Sequence, residues 1–286
     1  MNLHVSPAQV LRYTAFTAEP SGGNPAGIVL DADEIDEAAM LSIAADVGFS
    51  ETVFAILVEA RTLKVRYFSP LAEVPFCGHA TIALAVAIAH RDGVGQLSLH
   101  TKAGRVSVET TVTAAGSILA TLVSVPPRTS AIADDALTQL LAALRWPRED
   151  LDPLFPPRAA YAGAWHPIIA AATRGRLASL DYDMEAMRVV MDQHSWATIN
   201  LVWPESVHVY HARNPFPPGG VWEDPATGAA AAAFGGYLRE LSLVSPPTSI
   251  TILQGQDMGR PSQISVKIPV DPASGIAVSG TAVPLQ

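Results

Sequence analysis

Two stretches of small apolar residues set the strongest limit on the folds open to this chain. Residues 80–89 are apolar apart from Thr81, and residues 229–234 read Ala-Ala-Ala-Ala-Ala-Phe. A helix that is apolar on every side is normally buried on every side. We therefore predict one central helix over residues 80–90 and another over residues 227–241, each enclosed by strands. The longer run is far shorter than the roughly 20 residues of a membrane span.

The segments around these two helices indicate a repeated order of elements. Alternating or β-branched runs between Gly and Pro predict strands, and a 3, 4 and 7 apolar spacing predicts a helix. The predicted strands are 26–30, 52–58, 63–68, 97–100 and 106–112, then 167–171, 197–202, 207–210, 249–253, 263–268 and 276–283; further helices are 35–47 and 184–191. This order and the length of 286 residues favour two domains, 1–124 and 125–286, with the final strand free to return to the first.

Composition and charge exclude several classes of protein. The chain is 49% apolar with a net charge of −9, which indicates a globular protein. With 27 acidic against 18 basic residues and no basic cluster, neither nucleic acid nor a membrane is an expected partner. Residues 1–16 lack the basic and apolar regions of a secretion signal, so we expect a cytoplasmic protein.

Both central helices are predicted to begin at a glycine. Gly78 lies between Cys77 and His79, and Gly228 follows Thr227. The first turn of a helix has unpaired N–H groups and a partial positive charge, and glycine lets an anion come close. Two such starts suit a small carboxylate substrate lying in a cleft between the domains, although either glycine alone can simply ease a tight turn.

Several side chains near these starts are candidates for proton transfer. Glu51 opens a predicted strand just after a helix end, where partial desolvation would suit a general acid/base; a solvated loop glutamate is the alternative, and Glu73 and Glu223 are interpreted that way. Cys77 at a helix start could act as a thiolate or as a small buried residue. His79 could orient or protonate a substrate or cap the helix.

The remaining motifs point away from bound cofactors. Asp224, before a proline, could form a turn or accept a hydrogen bond from a substrate amine. The chain has no nucleotide-binding glycine motif and no serine-hydrolase motif. With a single cysteine and no metal-binding spacing of histidines, we expect neither a metal nor a cofactor.

Taken in order, five segments resemble the phenazine-biosynthesis PhzF-like family of isomerases, which belongs with the diaminopimelate epimerase fold. They are residues 23–27 (Gly-Asn-Pro-Ala-Gly), 50–54 (Ser-Glu-Thr-Val-Phe), 67–81 (which include Cys-Gly-His-Ala-Thr), 223–228 (Glu-Asp-Pro-Ala-Thr-Gly) and 254–262 (with Gln-Gly and Gly-Arg-Pro-Ser). As a set, spread over almost the whole chain, these motifs are highly specific.

This resemblance implies a fold, a reaction and roles for the candidate residues. The fold is α+β, with two pseudo-symmetric domains that each wrap a curved, mostly antiparallel sheet around a central helix, usually in a homodimer. The reaction is cofactor-independent proton transfer on a small cyclic amino- or hydroxy-carboxylic acid. Glu51 is the implied acid/base and His79 and Asp224 hold the substrate. Gly78 and Gly228 expose N–H groups to its carboxylate, beside Cys77 and Thr227.

One position departs from the family pattern and keeps alternatives open. Ala229 stands where the family usually has Ser after Thr-Gly, so a hydroxyl that could bind trans-2,3-dihydro-3-hydroxyanthranilate, the substrate in phenazine synthesis, is missing. Cys77 matches the first thiol of the related two-thiol epimerases, but Thr227 is at the second position, which disfavours two-base racemisation. A Cys77-dependent one-base epimerase or dehydratase is one alternative. A non-catalytic binding homologue is the other.

Overall fold

Both apolar stretches form buried helices in the computed structural model of the chain, which describes residues 9–285. The first helix is Gly78–Asp92, and every residue from His79 to Ala89 is buried. The second is Gly228–Glu240, in which Ala229 is the one partly exposed residue before Leu238. The prediction of two buried, nearly all-apolar helices is confirmed, and the chain as a whole is a sheet-rich α+β protein.

The described residues divide into two compact units. The first comprises residues 9–122 with 279–285, and the second comprises residues 123–278. This boundary lies two residues before the one expected from the sequence, after residue 124. Pseudo-symmetry between the two units stays a prediction.

The first unit is a sheet packed on its central helix. Its elements are β1 (Leu11–Ala15), β2 (Asn24–Val29), α1 (Glu37–Val47), β3 (Glu51–Glu59), β4 (Thr62–Phe68), β5 (Glu73–Val74), α2 (Gly78–Asp92), β6 (Gln96–Thr101), β7 (Gly104–Val112), β8 (Ile118–Val123) and the end of β17 (Ala277–Pro284). β1 pairs antiparallel with β2 and with the returning β17. β2 and β3 are parallel, as are β4 and β6, whereas β3–β4, β4–β5, β6–β7 and β7–β8 are antiparallel. α2 packs against β1, β2, β3 and β7.

The second unit has more helix around its own sheet. Its elements are β9 (Arg128–Ala131), α3 (Asp134–Leu144), β10 (Arg158–Tyr161), β11 (Trp165–Ala170), α4 (Arg174–Ala178), α5 (Met184–His194), β12 (Asn200–Pro204), β13 (Val209–Phe216), β14 (Val221–Asp224), α6 (Gly228–Glu240), β15 (Thr248–Gln254) and β16 (Ser262–Ile268). The pairs β11–β12 and β13–β15 are parallel and the rest are antiparallel. α6 packs against β9, β10, β11 and β16, while α3 packs against α5. Among residues 9–285, no helix combines the length and the hydropathy needed to cross a bilayer.

Candidate active site

The local sequence explains how Glu51 comes to lie beside the start of α2. α1 is capped by the Asp36 side chain, which accepts a hydrogen bond from the Ala39 N–H, and it ends at Gly48 with φ of 71°. That left-handed residue turns the chain into β3, whose first residue is Glu51. Parallel pairing places Glu51 opposite Ala26 of β2. The carboxyl is thus fixed at the edge where β2 and β3 both begin.

Close packing of backbone holds this edge together. Gly23 has φ of 69°, a conformation that favours glycine. A Cβ on Gly27 would lie 2.6 Å from the Thr52 Oγ1, so β2 and β3 approach closely only because residue 27 is glycine. These contacts give a physical reason for the Gly-Asn-Pro-Ala-Gly motif, which positions Asn24 between the two glycines.

Three side chains of different chemistry meet at the start of α2. His79 Nε2 lies 3.4 Å from Glu51 Oε2. The Cys77 Sγ lies 3.3 Å from His79 Nδ1 and 3.8 Å from Nε2. The Cys77 and His79 side chains are buried and that of Glu51 is 14% exposed. We name Glu51, Cys77 and His79 the α2 trio.

Hydrogen bonds orient the imidazole of the trio. The Asn24 Nδ2 donates to His79 Nδ1 at 3.1 Å, which leaves the ring proton of a neutral imidazole on Nε2. Nε2 faces Glu51 Oε2 and also the Ser50 Oγ at 3.4 Å. Glu51 Oε2 is buried and has no hydrogen-bond partner among residues 9–285, since its contact with Nε2 lacks hydrogen-bond geometry. The trio therefore holds a carboxylate oxygen that is positioned but not satisfied.

Two side-chain hydrogen bonds of Thr81 stabilise the first turn of α2. The Thr81 hydroxyl donates to the Cys77 carbonyl at 2.7 Å, so its oxygen accepts from the Tyr67 hydroxyl, also at 2.7 Å. Burial raises the pKa of Tyr67 far above its usual range, which keeps this phenol neutral. Cys77 makes no side-chain cap to the helix, and a Cβ on Gly78 would meet no atom within 4 Å. The N–H groups of this turn are thus not covered by a capping side chain.

The start of α6 has a different arrangement, centred on Gln254. The Thr227 hydroxyl donates to Asp224 Oδ2 at 2.6 Å. The buried Gln254 amide donates to the Asp224 carbonyl at 2.7 Å and to Thr227 Oγ1 at 3.0 Å, and its oxygen accepts from the Thr227 N–H at 3.2 Å. Gly228 is the first helical residue and is buried. We name Asp224, Thr227 and Gln254 the α6 cluster.

The predicted site residues therefore fall into two groups, each inside one unit. Glu51, Cys77 and His79 come together, with Gly78 between the last two. Asp224 and Thr227 are bonded to each other beside Gly228. Asn24, Ser50 and Gln254 lie within the motifs quoted above, but the sequence does not indicate a role for them. Each contacts a site residue that is distant in sequence: Asn24 and Ser50 contact His79, and Gln254 contacts Thr227.

The interpretation of two acidic residues as solvated loop carboxylates is wrong. Glu73 is bound by Arg66 and Lys102, and the hydrogen bond from Arg66 is the main cause that lowers the Glu73 pKa to about 2. Glu223 forms a buried ion pair with Arg213, joining β14 to β13. Both carboxylates are held by cations, so neither is available as a general base.

The α2 trio is also the group of described residues with the donor types of a metal site. One ligand atom from each of Glu51, Cys77 and His79 lies within 4.8 Å of the others. No metal-binding spacing is visible in the sequence, because β3, β4 and β5 lie between Glu51 and the other two residues. No conserved cofactor motif is needed to bring these atoms together.

A model of the PhzC-PhzF family, described as phenazine biosynthesis-like protein, matches residues 13–286. The chain belongs to this family. An uncharacterized isomerase of Bacillus subtilis, YfhB, is 32% identical over 96% of each chain. The trans-2,3-dihydro-3-hydroxyanthranilate isomerase of Pseudomonas chlororaphis is 30% identical over 94% of each chain. The crystal structure of a PhzF-family protein from Bacillus anthracis superposes with a TM-score of 0.86 at 29% identity, covering 97% of this chain and 96% of that one. The resemblance to PhzF-like isomerases is confirmed.

Proposed function

We propose that this PhzF-family protein is an isomerase in which Glu51 moves a proton between two carbon atoms of a small cyclic amino- or hydroxy-carboxylic acid. The observation that carries the proposal is the buried, unpartnered Oε2 of Glu51 beside His79. A carboxylate oxygen with no internal donor is ready to accept a proton from substrate. Relatives named isomerases supply the reaction class.

The proposed reaction is balanced without a cofactor. Glu51 takes a proton from one carbon, the electron pair of the broken C–H bond shifts through the substrate, and Glu51 returns a proton to another carbon. His79, oriented by Asn24, holds its Nε2 beside Glu51 Oε2, where the Nε2–H can reach the reacting group of the substrate. The uncapped first turn of α2 can bind the substrate carboxylate.

The α6 cluster is proposed to bind the amine of an amino-acid substrate. The Asp224 carboxylate can accept a hydrogen bond from a substrate amine. Hydrogen bonds from the Gln254 side chain hold the backbone of Asp224 and that of Thr227 in place. A homodimer is the assembly we propose from the family resemblance, and sedimentation would test it. One positioned acid/base supplies about 10² to 10⁴ of rate, so positioning must supply much of the remainder.

The test is solvent deuterium incorporation into candidate acids, including trans-2,3-dihydro-3-hydroxyanthranilate. We expect Glu51→Gln to slow exchange by at least about 100-fold, because the carboxamide cannot accept the proton. Glu59→Gln is the matched control, since Glu59 is exposed at the other end of the same strand. Equal exchange by wild type and Glu51→Gln would reject Glu51 as the carrier.

A second candidate is Cys77-dependent epimerase or dehydratase chemistry, favoured by the contact between the Cys77 Sγ and the His79 ring. It makes the opposite prediction: Cys77→Ala abolishes turnover and Glu51→Gln is mild. Binding of a ligand that never exchanges a carbon-bound proton would instead indicate a binding homologue.

A substitution at Ala229, the partly exposed second residue of α6, tests whether the chain acts on the phenazine-type substrate. We expect Ala229→Ser to raise kcat/KM for trans-2,3-dihydro-3-hydroxyanthranilate by about tenfold or more. A hydrogen bond to a charged group is worth about 1.5 to 3 kcal/mol. Ala172→Ser, at an exposed position, is the control. Unchanged kinetics would separate this chain from the phenazine reaction.

A further inference from the structure

The backbone fixes the place of Asn24 at the start of β2. Asn24 is opposite Ala15 of β1, and the residue before it, Gly23, has φ of 69°. A Cβ on Gly23 would lie 2.4 Å from the Ala15 carbonyl oxygen and 2.5 Å from the Thr14 Oγ1, so only glycine fits there. Asn24 is 1% exposed and His79 is 6% exposed. The contact between them therefore joins two buried side chains at fixed positions.

The groups around the His79 ring are sorted by their hydrogen-bonding chemistry. The Asn24 Nδ2 lies 3.1 Å from Nδ1, and the Cys77 Sγ lies 3.3 Å from the same atom; an amide N–H is a donor and a thiol is a weak one. The Glu51 Oε2 and the Ser50 Oγ each lie 3.4 Å from Nε2, and both can accept. Donors at Nδ1 and acceptors at Nε2 match a neutral imidazole with its proton on Nε2.

The opposite tautomer does not fit these neighbours. A proton on Nδ1 would face the Asn24 N–H group, which opposes two donors. An unprotonated Nε2 would face the Glu51 carboxylate, which can only accept, and this opposes two acceptors. The ring is buried, so bulk water does not relieve either contact. The amide of Asn24 and the carboxylate of Glu51 thus favour the same tautomer from opposite sides of the ring.

We propose that Asn24 is a positioning residue that keeps the His79 proton on Nε2, and that this N–H donates to a carboxyl or carbonyl oxygen of the substrate. When Glu51 takes a proton from carbon, the electron pair of the broken C–H bond moves into the substrate and negative charge develops on that oxygen. A donor already in place stabilises such charge. An ammonium group has no acceptor and does not fit this position. The tautomer stands on the geometry alone, whereas donation to substrate rests on the proposed function.

The tautomer is measured by NMR of protein with ¹⁵N-labelled histidine, because protonated and unprotonated ring nitrogens have well-separated ¹⁵N shifts. The signals of His79 are those lost in His79→Gln. We expect a protonated Nε2 and an unprotonated Nδ1 in wild type at pH 7.5. Asn24→Asp should protonate Nδ1, since a carboxylate can only accept, and Asn24→Ala should protonate it in part. Gln256→Glu is the matched control, because Gln256 Oε1 lies 3.1 Å from Nδ1 of another histidine, His211.

Solvent deuterium incorporation tests the donation to substrate. We expect Asn24→Asp to slow exchange by at least about tenfold, a part of the roughly 10²- to 10⁴-fold that a positioned acid/base supplies. Gln256→Glu should match wild type. Circular dichroism checks the folding of each variant, and Asn24→Ala gives the same comparison without a buried charge.

The two measurements separate the possible failures. An unprotonated Nε2 in wild type, or an unprotonated Nδ1 in both Asn24 variants, would overturn the role of Asn24. The expected spectra with equal exchange in wild type and the Asn24 variants would overturn the donation to substrate. If wild type exchanges no candidate acid, the proposed function and the donation both fail, while the spectra still decide the tautomer.

Discussion

The starts of the two central helices differ in how completely their polar groups are hydrogen-bonded. At the start of α2, the carboxylate Oε2 of Glu51 is buried and has no hydrogen-bond partner among residues 9–285. At the start of α6, the Gln254 side chain uses both its amide hydrogens and its oxygen in bonds to Asp224 and Thr227. At one helix start a carboxylate oxygen has no partner among the described residues, and the other helix start is held by a connected set of hydrogen bonds.

This difference suggests that one helix start contributes mainly to activity and the other mainly to stability. A buried polar group without a partner costs about 1 to 3 kcal/mol, and natural sequences keep such costs mainly at functional sites. On the proposed function, the α2 trio carries the chemistry, whereas the hydrogen bonds of the α6 cluster stabilise the second unit. Substitutions in the α6 cluster should then lower stability, while substitutions in the trio should lower activity with little loss of stability.

The largest expected effect on stability is at Gln254. We expect Gln254→Leu to lower the free energy of unfolding of the second unit by about 3 kcal/mol, because it removes the buried amide that bonds the partly buried Thr227 N–H and Asp224 carbonyl. Urea unfolding measures this. Gln263→Leu is the matched control, since Gln263 is exposed on the neighbouring strand β16 and should change stability by less than about 0.5 kcal/mol. Equal effects of the two substitutions would break the distinction between the two helix starts.

A buried chain of hydrogen bonds supports α6 further along its first turn. The Thr198 hydroxyl donates to Asn214 Oδ1 at 2.7 Å, so it accepts from His166 Nδ1 at 2.8 Å. Asn214 donates to Asn200, which donates to the Ala230 carbonyl. The direction of every hydrogen bond in this chain is therefore fixed, and it requires a proton on His166 Nδ1.

The next prediction concerns the pH dependence of this chain. Burial lowers the pKa of His166 from 6.5 to about 4, since protonation would add an Nε2–H that finds no acceptor among the described residues. Between those values only the unfolded state binds the proton, so the stability contributed above pH 6.5 is lost as pH falls toward 4. This loss amounts to about 2 to 3 kcal/mol.

The measurement is urea unfolding of wild type and His166→Asn from pH 7.5 down to about 4. Asparagine can still donate to Thr198 but does not titrate. We expect the variant to be less stable than wild type at pH 7.5. The gap between their free energies of unfolding should then narrow by about 2 to 3 kcal/mol on acidification. His208→Asn, at an exposed histidine, should keep a constant gap. A constant gap for His166→Asn as well would show that the α6 support tolerates a charged histidine.

The sequence predicts the central helices and much of the trio, but not the partners that orient them. Residues 77–79 are adjacent in the chain, so their motif was enough to bring them together. Asn24 is 55 residues from His79 and Gln254 is 27 from Thr227. Each contact joins the end of a strand to the start of a helix, and the packing of helix on sheet that brings them together is not specified by spacing or propensity.

Several elements are not predicted from the sequence, among them β1, β8 and α4, and one of them, α3, has a readable pattern. α3 has acidic residues in its first turn, and its buried leucines at 137, 140, 141 and 144 follow helical spacing. Glu223 shows the opposite case, because nothing near it in sequence indicates a buried ion pair. Its partner Arg213 lies on β13, so the burial of Glu223 depends on strand pairing.

The smallest expected effect is on the stability of the Glu51→Gln variant. It tests whether the start of α2, unlike that of α6, contributes little to stability. We expect the free energy of unfolding to stay equal or to rise by up to about 1 kcal/mol, because a neutral carboxamide costs less to bury than an unpartnered carboxylate. Glu59→Gln, exposed on the same strand, should lie within about 0.5 kcal/mol of wild type. Urea unfolding at pH 7 provides the measurement. A loss of more than about 1 kcal/mol would mean that Glu51 stabilises the first unit, and the start of α2 would then resemble that of α6.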